Sequence, residues 1–366
     1  MKVVLSGGGT AGHINPALAL AEVLKAEGHE IYFAGTPQGV ERRLVGQTDI
    51  PFIPFEAAGF DRSAPWTLVT SVLKIMKSTR LARAWMKDVQ PDAVVGFGGY
   101  VSIPVALAAE KLHVPVVVHE QNSVMGMANR FIGKRATSVA LTYEVASKDI
   151  VDKSKCFVTG NPVRSSILTV TREEGREYLG IPEDALMLLV FGGSLGARHI
   201  NQVITGMKKE LLGRDNLYVV HITGPKEYDT VWDALHLTDE EKKRWLVFSY
   251  QDRMAEVLAA ADCVVSRAGA TSLAEISALG IPALLVPFPF ATEDHQTMNA
   301  QSYVEAGAAY LIADDDLDQP EFKEKLFTLV EDASVRQAMT EAAASFETRN
   351  AADKLANVVI KASQKG

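Results

Sequence analysis

Val264-Val265-Ser266-Arg267-Ala268-Gly269-Ala270-Thr271-Ser272-Leu273-Ala274-Glu275 is the stretch on which the fold turns. An apolar run from Ala261 to Val265 breaks at the small residues from Ser266 to Gly269. Leu273, Ile276 and Leu279 then recur at helical spacing, up to Gly280-Ile281-Pro282. A strand that ends in a turn and opens a helix leaves backbone N–H groups aimed at the turn. With the helix dipole added, that is a site for an anion, most often phosphate. Thr271 and Ser272 can contribute hydroxyl donors from the first helical turn. Glu275, one turn further, is badly placed for phosphate but suits the hydroxyls of an attached sugar such as ribose. An ordinary strand–turn–helix connection uses the same residue types, so the remaining chain decides.

The pattern recurs. Lys2 to Leu5 reads as a buried strand running into Ser6-Gly7-Gly8-Gly9-Thr10-Ala11-Gly12-His13, with a helix expected from about Pro16 to Glu27. Leu186 to Val190, Phe191-Gly192-Gly193-Ser194-Leu195-Gly196-Ala197 and a helix from about His199 to Leu212 restart the plan. Strand–turn–helix units in succession imply a parallel sheet, and the repeat implies an α/β protein of two Rossmann-like domains facing across a cleft. The expected domains are 1–163 and 164–345, with a C-terminal helix at about 346–366 packing back on the first. Glycines fall at 7, 9 and 12, yet the second strand ends in Phe33-Ala34-Gly35-Thr36 with no acidic residue. That discounts a nicotinamide cofactor, and no other cofactor is called for.

With 366 residues, 47% hydrophobic and 22% charged, the chain is an ordinary globular length for two domains. A formal net charge of −8 argues against nucleic acid as a partner. The two cysteines, Cys156 and Cys263, lack metal-ligand spacing and suit a reducing compartment. Met1 to Leu5 is too short for a signal-peptide core, and no apolar run reaches membrane-spanning length. The expectation is a cytosolic protein, or one held at a membrane surface. Residues 66 to 87 bear on the second: Trp66, Leu68, Val69, Val72, Leu73, Ile75, Met76, Leu81, Trp85 and Met86 alternate with Lys74, Lys77, Arg80, Arg83 and Lys87. A basic amphipathic helix of this kind either docks on anionic lipid or is a core helix with a wet basic face.

Polar clusters fall at the ends of the expected strands, the edge where open parallel sheets bind ligands. In the second half, Ser194 and the Ala270–Ser272 helix start could present donors to a diphosphate, and Arg164 could neutralise it. Glu275 would take ribose hydroxyls, and Gln296 in Asp294-His295-Gln296 could read sugar hydroxyls. The first half offers His13, Tyr100, Glu120 and Asn122. His13 is a candidate general base for an attacking hydroxyl, and Glu120 competes for that role. No Asp-x-Asp stands where a metal-dependent sugar transferase would use it; Asp314-Asp315-Asp316 reads as solvated surface charge, and no metal ligands are assigned. A diphosphate leaving group would then be stabilised by backbone N–H, helix dipole and Arg164.

Seven motifs taken together, Gly8 to His13, Gly96-Phe97-Gly98-Gly99-Tyr100, His119-Glu120-Gln121-Asn122, Gly160-Asn161-Pro162-Val163-Arg164, Phe191 to Ala197, Arg267 to Glu275 and Asp294-His295-Gln296, stand in the order found in the MurG family. The chain resembles that family over nearly its whole length. The resemblance implies the GT-B glycosyltransferase fold and inverting transfer of GlcNAc from UDP-GlcNAc. The implied acceptor is the 4-hydroxyl of the MurNAc of lipid I (undecaprenyl-pyrophosphoryl-MurNAc-pentapeptide), giving lipid II at the cytoplasmic face of the bacterial membrane. It places Thr10, Ala11, Gly12, Asn122, Arg164, Ser194, Gln251, Ala270, Thr271, Ser272, Leu273, Ala274, Glu275 and Gln296 at the donor site, with Gln251 meeting the uracil through its backbone. It also favours docking of residues 66–87 on an anionic membrane surface. A same-fold transferase with another lipid acceptor, a sugar epimerase and a non-catalytic nucleotide-sugar-binding subunit are the alternatives.

Overall fold

The computed structural model describes residues 1–57, 67–346 and 348–364, with side chains from residue 70 onward in the helix that begins at Thr67. Trp66 and the side chains of Leu68 and Val69 lie outside the described residues, as do Glu347, Lys365 and Gly366 at the tail.

The chain divides into two compact units, Met1–Arg164 with Thr348–Gly366, and Ser165–Glu347. The first is built on seven parallel strands: β1 (Lys2–Gly7), β2 (Glu30–Gly35), β3 (Phe52–Pro54), β4 (Ala93–Gly98), β5 (Val116–Glu120), β6 (Ser138–Leu141) and β7 (Cys156–Val158). Their order is β3-β2-β1-β4-β5-β6-β7. Central strands such as Val-Val-Val-His-Glu of β5 are buried on both faces, the condition under which parallel strands become continuous apolar runs. Val3 and Leu5 face one core, shared with Leu18 and Leu24 of α1 (Ala11–Ala26); Val4 faces the other. That second core takes in Ala82 and Met86 of α3 (Thr67–Val89) and Val105 of α4 (Ser102–Glu110). Between β2 and α3 lies α2 (Val40–Val45), and α5 (Met127–Gly133) follows β5. The short β3 was not foreseen, because three residues following Pro51, the last of them Pro54 itself, carry no period of their own.

The expected start of the first helix at Pro16 is corrected. Thr10 is already extended (φ −144°) and α1 begins at Ala11, which leaves Pro16 inside the helix without an N–H for the carbonyl of residue 12.

The second unit repeats the scheme with β8 (Leu186–Phe191), β9 (Leu217–Ile222), β10 (Trp245–Phe248), β11 (Cys263–Ser266), β12 (Ala283–Leu285) and β13 (Ala309–Leu311), all parallel, in the order β10-β9-β8-β11-β12-β13. Its site-bearing helices are α6 (Arg198–Gly206), α7 (Ala270–Leu279) and α8 (His295–Glu305). The helix expected to run to Leu212 breaks at Met207 into a second short piece, Lys208–Leu212. Gly280 stops α7 in the left-handed region at φ +66°, as a helix-ending glycine does. Cys263 is a buried thiol, pushed up to about 12 by that burial. The chain then returns to the first unit as α9 (Ala351–Ser363), whose Leu355, Ala356, Val359 and Ala362 complete the core under α1.

Each sheet reverses its strand order once, at β1/β4 in the first unit and at β8/β11 in the second. Such a reversal sends the flanking connections apart and opens a crevice at the strands' carboxyl ends. Both glycine turns and the Ser266–Gly269 turn lie at these two points.

Candidate active site

In the second unit, β8 leads into the Gly192–Gly196 turn, in which Gly193 (φ +85°) and Gly196 (φ +79°) are left-handed. A Cβ on Gly196 would lie 2.0 Å from the Thr223 carbonyl oxygen at the end of β9, so this turn packs directly on the neighbouring strand's backbone. Ser194 is exposed at its tip. On the adjoining strand, β11 ends at Ser266 and α7 opens at Ala270 behind Gly269, with no side-chain cap on its N-terminus. Uncapped N–H groups beside a second glycine turn provide the converging donors that a diphosphate needs. Thr271, Ser272 and Glu275 are half-buried on the accessible side of α7. Leu273 and Ala274 point into the core, so their side chains are corrected out of the donor-contacting set; only their backbone could take part.

Glu275 accepts no hydrogen bond from any described residue, and burial pushes its carboxyl up to about 7. The Gln296 side-chain oxygen accepts from the N–H groups of Phe288 (2.9 Å) and Ala268 (3.2 Å), tying the β12 and β11 loops together. Gln251 accepts from Tyr178 Oη at 3.0 Å and from the Arg253 N–H at 3.1 Å. Both bonds tie its side chain to the protein's own groups.

Three residues here were not assigned from sequence. Arg267 donates to the carbonyls of Val286 (3.2 Å) and Pro287 (3.0 Å) and pairs with Asp314 at 2.5 Å, both side chains 11% exposed. The other Asp314 oxygen meets His199 Nδ1 at 2.9 Å, at the start of α6. Asp314 is therefore not solvated surface charge; it joins the loops after β11, β12 and β13 to the helix behind the Ser194 turn. Burial works against charge on His199, but its hydrogen bonds to Asp314 and Asp318 outweigh that and raise its affinity for a proton.

In the first unit, β1 and β4 shift register at Ser6/Gly7, and two glycine turns meet there. Gly8 N–H donates to the Gly98 carbonyl at 3.3 Å. A Cβ on Gly99 (φ +80°) would sit 2.5 Å from the Gly8 oxygen. Thr10, Ala11 and Gly12 form the opening of α1, partly or fully accessible. His13 Nδ1 lies 2.8 Å from the Gly8 carbonyl oxygen. A carbonyl can only accept, so Nδ1 carries the hydrogen and Nε2 of the neutral ring keeps its lone pair. A Cβ on Gly98 would come within 3.1 Å of that Nε2, so glycine there gives the ring its place.

Glu120 is buried, and both of its oxygens are engaged. Oε1 accepts from the Asn122 N–H (3.0 Å) and Nδ2 (3.2 Å), and Oε2 from the Gly126 N–H (3.0 Å) and Asn129 Nδ2 (2.9 Å). This is a carboxylate folding the loop that carries Asn122, not one with a lone pair presented to a substrate. Its neighbour His119 is held neutral, its pKa lowered to about 4 by burial, with Nε2 donating to the Gly160 carbonyl at 3.0 Å. Arg164 belongs to the first unit, where its guanidinium pairs with Glu22 of α1. Tyr100 is half-buried beside the Gly98–Gly99 turn. Among the described residues, no group of three or more His, Cys, Asp or Glu side chains is arranged to hold a metal ion.

Helix α3 buries small and polar residues in its first half and carries large apolar ones on its outer face. Ser71, Ser78, Thr79 and Ala82 are buried, while Leu73 (60% exposed), Met76 (64%) and Leu81 (52%) face outward among Lys74, Lys77, Arg80 and Arg83. Trp85 is held inward against Tyr32 and Phe55. No helix among the described residues is long and apolar enough to cross a membrane.

Two Rossmann-like units, each with glycine turns at its topological switch point, make up the GT-B fold, and the family matches make the chain a glycosyltransferase of that fold. Residues 3–141 match the glycosyltransferase family 28 N-terminal domain, and residues 187–355 match its C-terminal domain. The chain is 42% identical over 364 residues to a UDP-N-acetylglucosamine–N-acetylmuramyl-(pentapeptide) pyrophosphoryl-undecaprenol N-acetylglucosamine transferase of Leuconostoc mesenteroides, covering 99% of both chains. It is 39% identical over 364 residues to the Halothermothrix orenii protein of the same name, covering 98% of each. The crystal structure of Acinetobacter baumannii MurG superposes with a TM-score of 0.73 at 30% identity, over 98% of this chain and 99% of that one. The protein belongs to the MurG family of N-acetylglucosamine transferases.

Proposed function

We propose that this protein carries out the transfer for which its relatives are named. GlcNAc moves from UDP-GlcNAc to the MurNAc 4-hydroxyl of lipid I, with inversion at the anomeric carbon, and lipid II and UDP are the products. The Ser194 turn and the α7 N-terminus hold the diphosphate, Glu275 takes the ribose hydroxyls, the Gln251 backbone meets the uracil, and the Gln296 amide reads the sugar. His13 Nε2 accepts the proton of the attacking hydroxyl as its oxygen bonds to the anomeric carbon and the bond to the diphosphate breaks. Negative charge growing on the diphosphate is met by fixed backbone donors. Glu120 positions the loop carrying Asn122, and Arg164 steadies α1 through Glu22. The observation that supports the reading most directly is the contact of His13 Nδ1 with the Gly8 carbonyl, which leaves Nε2 beside the Gly98 turn, in a chain 42% identical end to end to a named transferase.

The outward face of α3 docks on anionic lipid at the cytoplasmic face of the membrane, where a polyprenyl acceptor resides. Exposed leucine and methionine supply insertion, and the lysines and arginines supply charge attraction worth about 1 kcal/mol each. Liposome sedimentation tests this: replacing Lys74, Lys77, Arg80 and Arg83 by Gln should release the protein, and undiminished binding would reduce α3 to a core helix with a wet face.

Transfer of labelled GlcNAc to a lipid I analogue with a short prenyl chain tests the chemistry. Wild type should yield labelled disaccharide-lipid and UDP. His13→Ala should lose about a hundredfold or more in rate with UDP-GlcNAc affinity retained; full activity would remove His13 as the base. Turnover of UDP-GlcNAc without acceptor would mark an epimerase instead.

A further inference from the structure

We propose that Glu41 is a positioning residue that acts through the Gly8–Gly9 peptide to hold His13 in its Nδ1–H tautomer. The inference rests on the reading of His13 as the base. Glu41 lies in the first turn of α2, wholly buried, and no cation among the described residues pairs with it. Its Oε1 accepts from the Thr36 N–H (2.9 Å) and Thr36 Oγ1 (2.5 Å), and its Oε2 accepts from the Gly9 N–H at 3.4 Å. The space is reserved for it: a Cβ on Gly8, Gly35 or Gly39 would come within 2.6, 2.7 or 2.2 Å of the Glu41 side chain.

The Gly9 N–H and the Gly8 carbonyl are the two ends of one peptide plane, which is trans and therefore points them in opposite directions. Glu41 holds the donor end, and His13 Nδ1–H bonds to the acceptor end at 2.8 Å. A carboxylate on the N–H polarises the amide and makes its oxygen the better acceptor. Carboxylate, peptide and imidazole thus form a chain in which the peptide replaces the direct carboxylate–histidine bond of a catalytic triad. Other titratable groups on the surrounding elements are Tyr100 after β4 and His119 and Glu120 at the end of β5. The last two are spent on Gly160, Gln121 and the 122–129 segment. Arg42, next to Glu41, lies over the Phe52 ring.

Glu41→Gln isolates the link. The N–H groups of Thr36 and Gly9 sit on different oxygens, so an amide of the same shape can satisfy only one. In full-length protein labelled with ¹⁵N-histidine at pH 8, His13 of wild type should show a protonated Nδ1 and a lone-pair Nε2. Glu41→Gln should show mixed tautomers, and its kcat should fall about tenfold to a hundredfold, within the loss a wrong tautomer causes in a triad. The KM for UDP-GlcNAc should stay unchanged. Thr36→Val, which keeps the carboxylate and its bond to Gly9, should keep the wild-type tautomer. If Glu41→Gln fails to fold, Glu41→Asp, which shortens the reach to Gly9 by one methylene, gives the same reading. A folded Glu41 variant with the wild-type His13 tautomer overturns the proposal. Full activity of His13→Ala would remove the base reading, while the tautomer measurement would still decide the Glu41 link.

Discussion

Replacing Glu275 by Gln should strengthen the unliganded protein and weaken its hold on UDP-GlcNAc, both in a pH-dependent way. Burial pushes the Glu275 carboxyl from 4.5 to about 7. Between those values the unfolded chain carries the charge and the folded protein does not, so the folded state binds more protons and stability falls as pH rises. A shift of this size corresponds to about 3 kcal/mol at 1.36 kcal/mol per pKa unit. Because the side chain is only half-buried, water reaches it and about 1–3 kcal/mol is the expected range. Glu275→Gln cannot ionise. Its unfolding free energy should match wild type near pH 4.5 and exceed it above pH 7.

The donor reverses the balance. Ribose hydroxyls donating to the carboxylate favour its charged form, so binding must expel a proton from any Glu275 that is neutral. Wild-type affinity should therefore climb toward pH 7, by up to about tenfold per pH unit, and level off above it. Bonds to a charged acceptor are worth about 1.5–3 kcal/mol, so at pH 8 the Gln variant should bind about tenfold to a hundredfold more weakly. Its affinity should also lack the climb. Titration calorimetry at pH 6, 7 and 8 in buffers of different ionisation enthalpy reads both the affinity and the proton released, and urea unfolding reads the stability. Equal affinity at pH 8, or no proton release by wild type near pH 6.5, would refute the ribose assignment. Equal stability of the two proteins above pH 7 would refute the burial argument.

Asp314→Asn leaves Arg267 buried without its charge partner and should lower unfolding free energy by about 3–5 kcal/mol, read by urea titration at pH 7; a loss under 1 kcal/mol would make the Arg267–Asp314–His199 junction unimportant. Glu120→Gln turns an amide N–H₂ toward backbone or Asn donors and should cost about 1–3 kcal/mol. The cost should appear as faster hydrogen exchange across residues 121–129, and a catalytic pH profile altered with that exchange unchanged would return Glu120 to the role of base. Gly196→Ala places a Cβ in the Thr223 carbonyl at a left-handed φ and should cost about 1–3 kcal/mol along with donor affinity, both measurable by thermal shift with and without UDP-GlcNAc.

Two kinds of information in the sequence behaved differently. Periodic and punctuated features were legible: apolar runs such as Val116 to Val118 and Leu186 to Val190 can hardly be anything but buried parallel strands. The glycine turns mark the strand ends because glycine adopts the left-handed backbone of Gly193 and Gly196 most readily and leaves room for the close approaches at Gly196 and Gly99. Three residues of β3 offered too little pattern. Helix α1 starts before the proline expected in its first turn: Thr10, of a residue type that commonly precedes a helix, is extended there without a side-chain cap bond, and in sequence it is one member of a glycine-rich turn with nothing to single it out. Side-chain partners were hidden for another reason. Asp314, Asp315 and Asp316 are identical as letters, yet only Asp314 lies where β13's loop meets an arginine 47 positions earlier and a histidine 115 positions earlier. Glu120 looked like a base because a carboxylate at a strand end can be one. Three of its four donors come from the loop just after it and the fourth from Asn129 in the helix that follows, and no spacing rule says that such a segment will close on a carboxylate instead of leaving it to the substrate. Glu41 was missed for the complementary reason. In sequence it is one acidic residue in a short polar helix, and its significance rests on a single peptide plane shared with His13, 28 residues before it. Motifs place groups at the edge of a sheet, whereas hydrogen-bond saturation decides which of those groups remain available for chemistry. His13 Nε2 and the Glu275 carboxylate remain available; Glu120 and Asp314 do not.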